Sequence, residues 1–218
     1  MKRLLIRVAS ALLLVQFSNA LPHVKHVSGA VNHAQGSSSE EHNAQELLMI
    51  STINEIVKLY KWVLENGSVI VNNAVEELNE IPVKDALLQA NITRMSKIGN
   101  EVSLFKLISD DKSVVKLLEY MVSFTAMMDD YEHMPIDSKL KLTLKTALDN
   151  NGYNKFENEF ELRVLELFKN FDHAFAEYVK TLTPEEKVKE SKLLQWHEDF
   201  TAETDEETKL EKFGELFV

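Results

Sequence analysis

The stretch DNNGYNKFENEFE, residues 149–161, has the composition of a calcium-binding loop, because oxygen-bearing side chains surround one glycine and carboxylates follow. In an EF-hand loop, glycine stands at position 6, and acidic ligands at positions 1 and 12 anchor the ion. With Gly152 at position 6, those two positions are Ala147 and Asn158. The sequence therefore excludes an EF-hand. It predicts instead that Gly152 follows the end of a helix in a left-handed conformation.

A cation site of another kind stays open, because carboxylates and histidines lie close to this loop. His173 and Glu177 are one helical turn apart, as are Asp129 and His133, and either pair offers two metal ligands. A catalytic zinc site takes three protein ligands, and no third occurs at motif spacing. The alternative for each pair is an ordinary contact on a helix surface. The candidate ligands of a divalent cation are Asp149, Glu157, Glu161, His173 and Glu177.

The motifs of common enzyme classes are missing from the sequence. Trp196–Phe200, WHEDF, begins like the zinc-protease motif H-E-x-x-H, but Thr201 stands where the second histidine belongs. The chain has no cysteine, which excludes catalysis by a thiolate. It has only six glycines and no glycine-rich phosphate-binding loop, and the G-x-S-x-G motif of serine hydrolases is also missing. We predict a protein that is not an enzyme and has no resident cofactor, apart from the divalent cation left open above.

Apolar side chains recur along two segments and could enclose a greasy ligand. Methionine adapts to irregular apolar surfaces, and an aromatic stripe runs from Phe156 to Tyr178. The alternative is that this stripe is ordinary hydrophobic core, which is what apolar residues at helical spacing usually form. The candidate lining residues are Met121, Phe124, Met128, Phe160, Phe168, Phe171 and Phe175.

The N-terminus has the features of an export signal. Basic residues precede the apolar run VASALLLVQF, and small residues lead to Ala20, which predicts a cleaved signal peptide over residues 1–20. Residues 21–43 are rich in serine and histidine and lack periodicity, so we predict a disordered arm there. We expect a secreted protein, in which the sequons at Asn66 and Asn91 are candidate glycosylation sites.

Charge narrows the range of partners. The net charge is −11, and removal of residues 1–20 leaves 21 basic against 35 acidic residues, a net charge of −14. Binding to nucleic acid or to an anionic membrane requires clustered basic residues, so neither is expected. The most apolar segment of the mature chain includes Lys116 and Glu119 and is too short to span a bilayer.

Helical periodicity covers the chain from Ala44 onward and predicts an all-α bundle of about seven or eight helices over residues 44–218. The first helix is expected to end at Asn66–Gly67, and the residues 69–71 that follow are the one stretch where a strand is the alternative. Residues 112–133 are predicted to be the central buried helix, capped by Asp110 or Asp111. A later helix is predicted over 155–181. Capping boxes are expected at Thr183 with Glu186 and at Thr204 with Glu207.

The C-terminal portion, about Met134 to Phe217, resembles the SXP/RAL family of nematode secreted antigens. The similarity runs through Leu144…Gly152, then FENEF, a helix with His173, LTPEEK and EETKLEKFGEL. The chain departs from the family pattern at Ala147, where a tryptophan is typical. The resemblance implies a small, helical, secreted protein with a domain described as cation-binding. LTPEEK is also similar to nematode fatty-acid- and retinol-binding proteins, over a shorter length.

Together these observations predict a secreted, non-enzymatic helical binding protein. It would act on host or extracellular macromolecules or bind divalent cations weakly. The alternative is a carrier of a fatty acid, a retinoid or a similar apolar ligand in a helical cavity.

Overall fold

The computed structural model describes residues 44–108 and 110–217, and in these two ranges the chain is helix and connecting loop. The predicted signal peptide and the predicted arm lie outside the described residues. The helices of these ranges are α1 (Ala44–Asn79), α2 (Ala86–Ser103), α3 (Asp111–His133), α4 (Lys139–Asn150), α5 (Tyr153–Thr181), α6 (Pro184–Lys189), α7 (Ser191–Ala202) and α8 (Glu206–Glu215). The prediction of an all-α bundle of seven or eight helices is confirmed.

The first helix does not end where the sequence suggested. α1 continues through Asn66–Gly67, and the predicted stop is wrong, as is the alternative of a strand over residues 69–71. The side-chain amide of Asn66 donates to the carbonyl oxygen of Trp62, one turn earlier, at 2.8 Å. Gly67 is buried against the ring of Phe124 on α3, so its missing side chain permits a close helix crossing. The glycine serves packing here rather than termination.

The central helix is α1, and not α3 as predicted. α1 packs against α2, α3, α4 and α5, and its buried residues extend from Leu48 to Leu78. α3 buries one face, which includes Leu117, Met121 and Phe124, and leaves Val115 and Val122 on its outer side. The prediction was wrong because the apolar content of a helix does not determine how many of its sides are covered by other helices. No helix in the described part of the chain is long and apolar enough to cross a membrane.

Two predicted features of the C-terminal half are confirmed. The apolar stripe of α5 is buried along its whole length at Phe156, Phe160, Val164, Leu167, Phe168, Phe171, Phe175 and Tyr178. Thr183 caps α6 in a complete capping box with Glu186 and with Pro184 in the first turn. Asp110 is the residue that caps α3: its side-chain carboxylate accepts a hydrogen bond from the backbone N–H of Ser113 at 2.6 Å.

The second predicted capping box is wrong by one residue. Asp205, and not Thr204, is the N-cap of α8, and its carboxylate accepts from the backbone N–H of Thr208 at 2.9 Å. Glu203 accepts from the N–H groups of both Thr204 and Asp205, at 2.8 and 2.9 Å. The two carboxylates therefore accept from the N–H groups of Thr204, Asp205 and Thr208, whereas the predicted Thr204 cap would have accepted from Glu207. A carboxylate also suits the positive end of the helix dipole.

Gly152 separates α4 from α5 in the predicted left-handed conformation, with φ of 93°. No atom lies within 4 Å of the position that a Cβ would take, so a substitution meets backbone strain without a steric clash. We expect Gly152→Ala to lower the free energy of unfolding by about 1 kcal/mol and Gly152→Asn to cost less, since asparagine tolerates this region. Urea unfolding of both variants, followed by circular dichroism, tests this order. Equal stability of Gly152→Ala and wild type would contradict it.

Candidate functional site

The five predicted metal ligands do not meet in one place. Asp149, at the end of α4, forms an ion pair with Lys145. Glu157 and Glu161 lie one turn apart near the start of α5. His173 is on the same helix but sixteen residues after Glu157, which is about 24 Å along the axis. Glu177 bonds to Lys180 at 2.6 Å, a contact that lowers the pKa of its carboxyl. Within the described residues, no group of three or more acidic or histidine side chains is placed to hold a metal ion.

Three of the predicted lining residues belong to a closed aromatic cluster instead of facing open space. This aromatic cluster joins α5 to α7 and α8 and consists of Phe168, Phe171, Phe175, Trp196, His197, Phe200 and Phe213. Phe171 lies at its centre, with ring centroids 5.2 Å from Phe213 and 5.7 Å from Phe200. His197 stacks on Phe175 at 3.8 Å and reaches Asp172 at 3.0 Å. The cluster fastens the last two helices to the bundle.

The other four predicted lining residues are buried in the core on α3 and α5. Phe124 fills the space above Gly67, and Met121 and Phe160 are almost completely covered. Met128 contributes to a cavity of about 20 Å³, which is also lined by Asn91, Met95, Met127, Tyr131, Leu144 and Leu148. Such a space holds about one water molecule, whereas pockets for small-molecule ligands measure about 300–1,000 Å³.

A buried lysine next to this cavity is the most unusual polar group of the described chain. Lys141 is only 7% exposed, and its ammonium group donates to the backbone carbonyl of Tyr131. The same nitrogen lies 3.6 Å from a carboxylate oxygen of Glu132 and 3.6 Å from the centre of the Tyr131 ring. Burial lowers the pKa of Lys141, and the charge of Glu132 opposes that change.

The contacts of Lys141 indicate that it stabilises the fold rather than takes part in a reaction. Its ammonium group meets a carbonyl in the last turn of α3, where the helix dipole favours a cation, and so fastens α4 to the end of α3. Tyr153, at the start of α5, completes this junction by packing its ring edge-on against Tyr131 at 6.4 Å. Sequence reasoning missed the junction, since a lysine in an amphipathic helix usually faces solvent.

The raised pKa values of four tyrosines predict a steep loss of stability at alkaline pH. Burial raises the pKa of Tyr60, Tyr131, Tyr153 and Tyr178 above the usual value near 10. Nearby carboxylates add to the effect at all of them except Tyr60. A raised folded-state pKa means that the unfolded chain loses protons first as pH rises, so stability is lost above about pH 10. We expect tyrosinate absorbance at 295 nm to rise together with the loss of helical circular dichroism. Ionisation of all five tyrosines before any helix is lost would contradict this.

The two predicted glycosylation sites both lie within helices. Asn66 is exposed on α1, and Asn91 is half-buried on α2. The side-chain nitrogen to which a glycan would be attached donates to Trp62 in the first case and to Leu87 in the second, at 2.8 and 2.9 Å. Use of either site stays a prediction.

Negative charge is concentrated on the last three helices. Residues 184–215 contain eleven acidic and five basic residues, and the ten residues from Glu198 to Glu207 contain six carboxylates with no lysine or arginine. None of the eleven acidic side chains is buried. We call this surface, formed by the exposed sides of α6, α7 and α8, the acidic C-terminal surface. The aromatic cluster beneath it gives α7 and α8 a fixed position on α5.

Comparisons with protein-family models, with curated proteins and with solved structures find no match to this chain. The resemblance of its C-terminal portion to the SXP/RAL antigens therefore stays a prediction.

Proposed function

We propose that this chain is a secreted, non-enzymatic binding protein that engages positively charged extracellular macromolecules through the acidic C-terminal surface. The observation that carries the proposal is the excess of eleven carboxylates over five lysines in residues 184–215. Eight of these carboxylates lie on α6, α7 and α8 and three lie between the helices, and the aromatic cluster holds α7 and α8 in place. A surface of net negative charge attracts a positively charged partner and speeds its association, and this effect weakens as salt rises.

The interior supports the same choice. A carrier of fatty acids or retinoids needs a pocket of several hundred Å³, and the residues suggested for its wall are packed against other core side chains. A cation-binding role would need ligands that converge, and the predicted ones are spread over α4 and both halves of α5. A contact surface therefore fits the described residues better than an internal ligand site.

A matched pair of charge-neutralised variants tests the proposal. The first carries Gln at Glu198, Glu206, Glu211 and Glu215 on α7 and α8. Its control carries Gln at Glu65 and Glu76 on α1, at Glu80 directly after α1, and at Glu101 on α2. Both variants lose four negative charges, so only the position of the lost charge differs. The probe is a cationic, lysine-rich helical peptide, and its affinity is measured by calorimetry at low and at high salt.

We expect the α7–α8 variant to lose at least about tenfold in affinity and the α1–α2 control to lose about threefold or less, since electrostatic binding depends on local charge. Equal losses in the two variants would mean that net charge alone attracts the peptide. That result would contradict a defined contact surface.

Secretion is tested separately. Expression of the full chain in a eukaryotic secretory host should give a product in the medium whose first residue is Leu21. A product that stays inside the cell with Met1 intact would contradict the proposed location.

A further inference from the structure

The outer side of α3 carries apolar side chains that the bundle leaves uncovered. Val115, Leu118, Val122 and Ala126 recur at intervals of three, four and four residues, so they share one side of the helix. Val115 is 39% exposed and Val122 is 50% exposed, while Leu118 is half-buried and Ala126 is exposed. We call this stripe the α3 outer face.

Charged residues lie along one edge of this face: Lys116 and Glu119 bond to each other at 2.8 Å near its middle, and a further charged residue stands at each end. Lys112 lies before the stripe and Asp130 lies after it, eighteen residues further on, which is five complete helical turns. Both side chains are exposed. The carboxylate of Asp130 also forms an ion pair with the guanidinium of Arg94 on α2, and this contact holds the Asp130 side chain on that edge.

The apolar stripe and the charged pair have the same midpoint. The centre of residues 115–126 and the centre of residues 112 and 130 both fall near residue 121. A two-fold axis at that point would place two α3 helices antiparallel, with each stripe against the other. Lys112 of each copy would then face Asp130 of its partner, so the surface is complementary to itself, as an isologous contact requires.

We infer that two copies of this chain pair through the α3 outer face, with their α3 helices antiparallel about a two-fold axis near residue 121. The stripe is only about 17 Å long, so the contact is smaller than the interface of a permanent dimer and the association is weak. Pairing goes beyond the proposed function and does not rest on it. A dimer would also present two acidic C-terminal surfaces, which raises the apparent affinity for a repetitive cationic partner.

Sedimentation equilibrium of the purified protein, from about 5 to about 500 µM at physiological salt, tests the inference, because that range covers weak association. The wild type should dimerise reversibly within it. Val122→Glu should weaken the dimer more than about tenfold, since two buried charges would meet near the axis. Lys112→Glu should weaken it about three- to tenfold, because it places like charges at both ends.

Two control variants carry the same changes at other exposed positions. Val69→Glu on α1 and Lys192→Glu on α7 should dimerise as the wild type does. Asp130 also pairs with Arg94 of its own chain, so the charge exchange is tested in an Arg94→Gln background. In that background, Lys112→Glu with Asp130→Lys should associate within about threefold of Arg94→Gln alone, since the charges exchange sides. Thermal unfolding of each variant checks that it remains folded.

Three results would overturn the inference. The first is a wild type that stays monomeric throughout the range, which would leave the face to a different partner or to another part of the same chain. The second is a dimer that survives Val122→Glu. The third is an equal weakening by the two control variants, which would show that added negative charge acts without regard to position.

Discussion

Phe171→Ala should lower the free energy of unfolding by about 3–5 kcal/mol, the usual cost of removing a buried aromatic ring. Phe171 is 2% exposed and lies in the middle of the aromatic cluster, where its ring contacts Phe175, Trp196, Phe200 and Phe213. A domain of this size is stable by about 5–15 kcal/mol, so the loss is a large fraction of the total. Urea unfolding, followed by circular dichroism and by the combined fluorescence of Trp62 and Trp196, measures it.

The position of the ring makes the expected damage local as well as large. Since α7 and α8 are fastened to α5 through this cluster, amide hydrogens in residues 191–215 should exchange faster in the variant than those of α1. Leu162→Ala on the outer side of α5 is the matched control, because Leu162 is 66% exposed, and it should change stability by less than about 0.5 kcal/mol. A loss below about 1 kcal/mol for Phe171→Ala would mean that the cluster is not packed as described.

Gly67→Ala should destabilise the protein by about 1–3 kcal/mol, although the same change inside an exposed helix stabilises by about 1 kcal/mol. The added Cβ would lie 2.5 Å from the ring atom Cζ of Phe124 and 2.9 Å from Cε2. Both distances are far below van der Waals contact, and the glycine is buried at a helix crossing. Either α3 must move away from α1 or the ring must leave its rotamer. Thermal and urea unfolding both measure the loss.

A second substitution shows whether Phe124 is the cause. Phe124→Leu shortens the ring that meets Gly67, so Gly67→Ala should be neutral or slightly stabilising in that background, with a coupling of more than about 1 kcal/mol between the two sites. Without coupling, the cost of Gly67→Ala would have to come from backbone conformation. A glycine that ended the helix at residue 67 would give that result, and it would contradict a continuous α1.

Features that depend on neighbours in the sequence were predicted well. The capping box at Thr183, the left-handed Gly152 and the buried stripe of α5 each follow from residues within a few positions of one another. Local chemistry decides such features, since a cap needs a donor and an acceptor three residues apart. The N-cap of α8 at Asp205 instead of Thr204 shows the limit of this reasoning, because threonine and aspartate are both favoured N-caps and they are adjacent here.

Features that depend on distant residues were not predicted. Asn66–Gly67 reads as a helix end until Phe124, on another helix, is known to fill the space beside it. The burial of Lys141 likewise follows from the last turn of α3, where a carbonyl and a carboxylate receive the ammonium group. Helix propensity is a weak prior that such tertiary contacts overrule.

The candidate sites were predicted to different degrees. The excess of acidic residues is visible in the composition, but their grouping on a surface fixed by the aromatic cluster is not. The α3 outer face was hidden because a very apolar helix was expected to be covered on all sides. Val115 and Val122 are exposed because α1, and not α3, lies at the centre of the bundle.

We propose that this protein acts from its surface and not from an internal ligand pocket. Titration of the purified protein with a dansyl-labelled fatty acid distinguishes the two, because a probe that enters an apolar cavity shifts its emission to the blue. We expect no saturable blue shift, since the cavity that Met128 lines measures about 20 Å³. A saturable shift that unlabelled oleate reverses would contradict it.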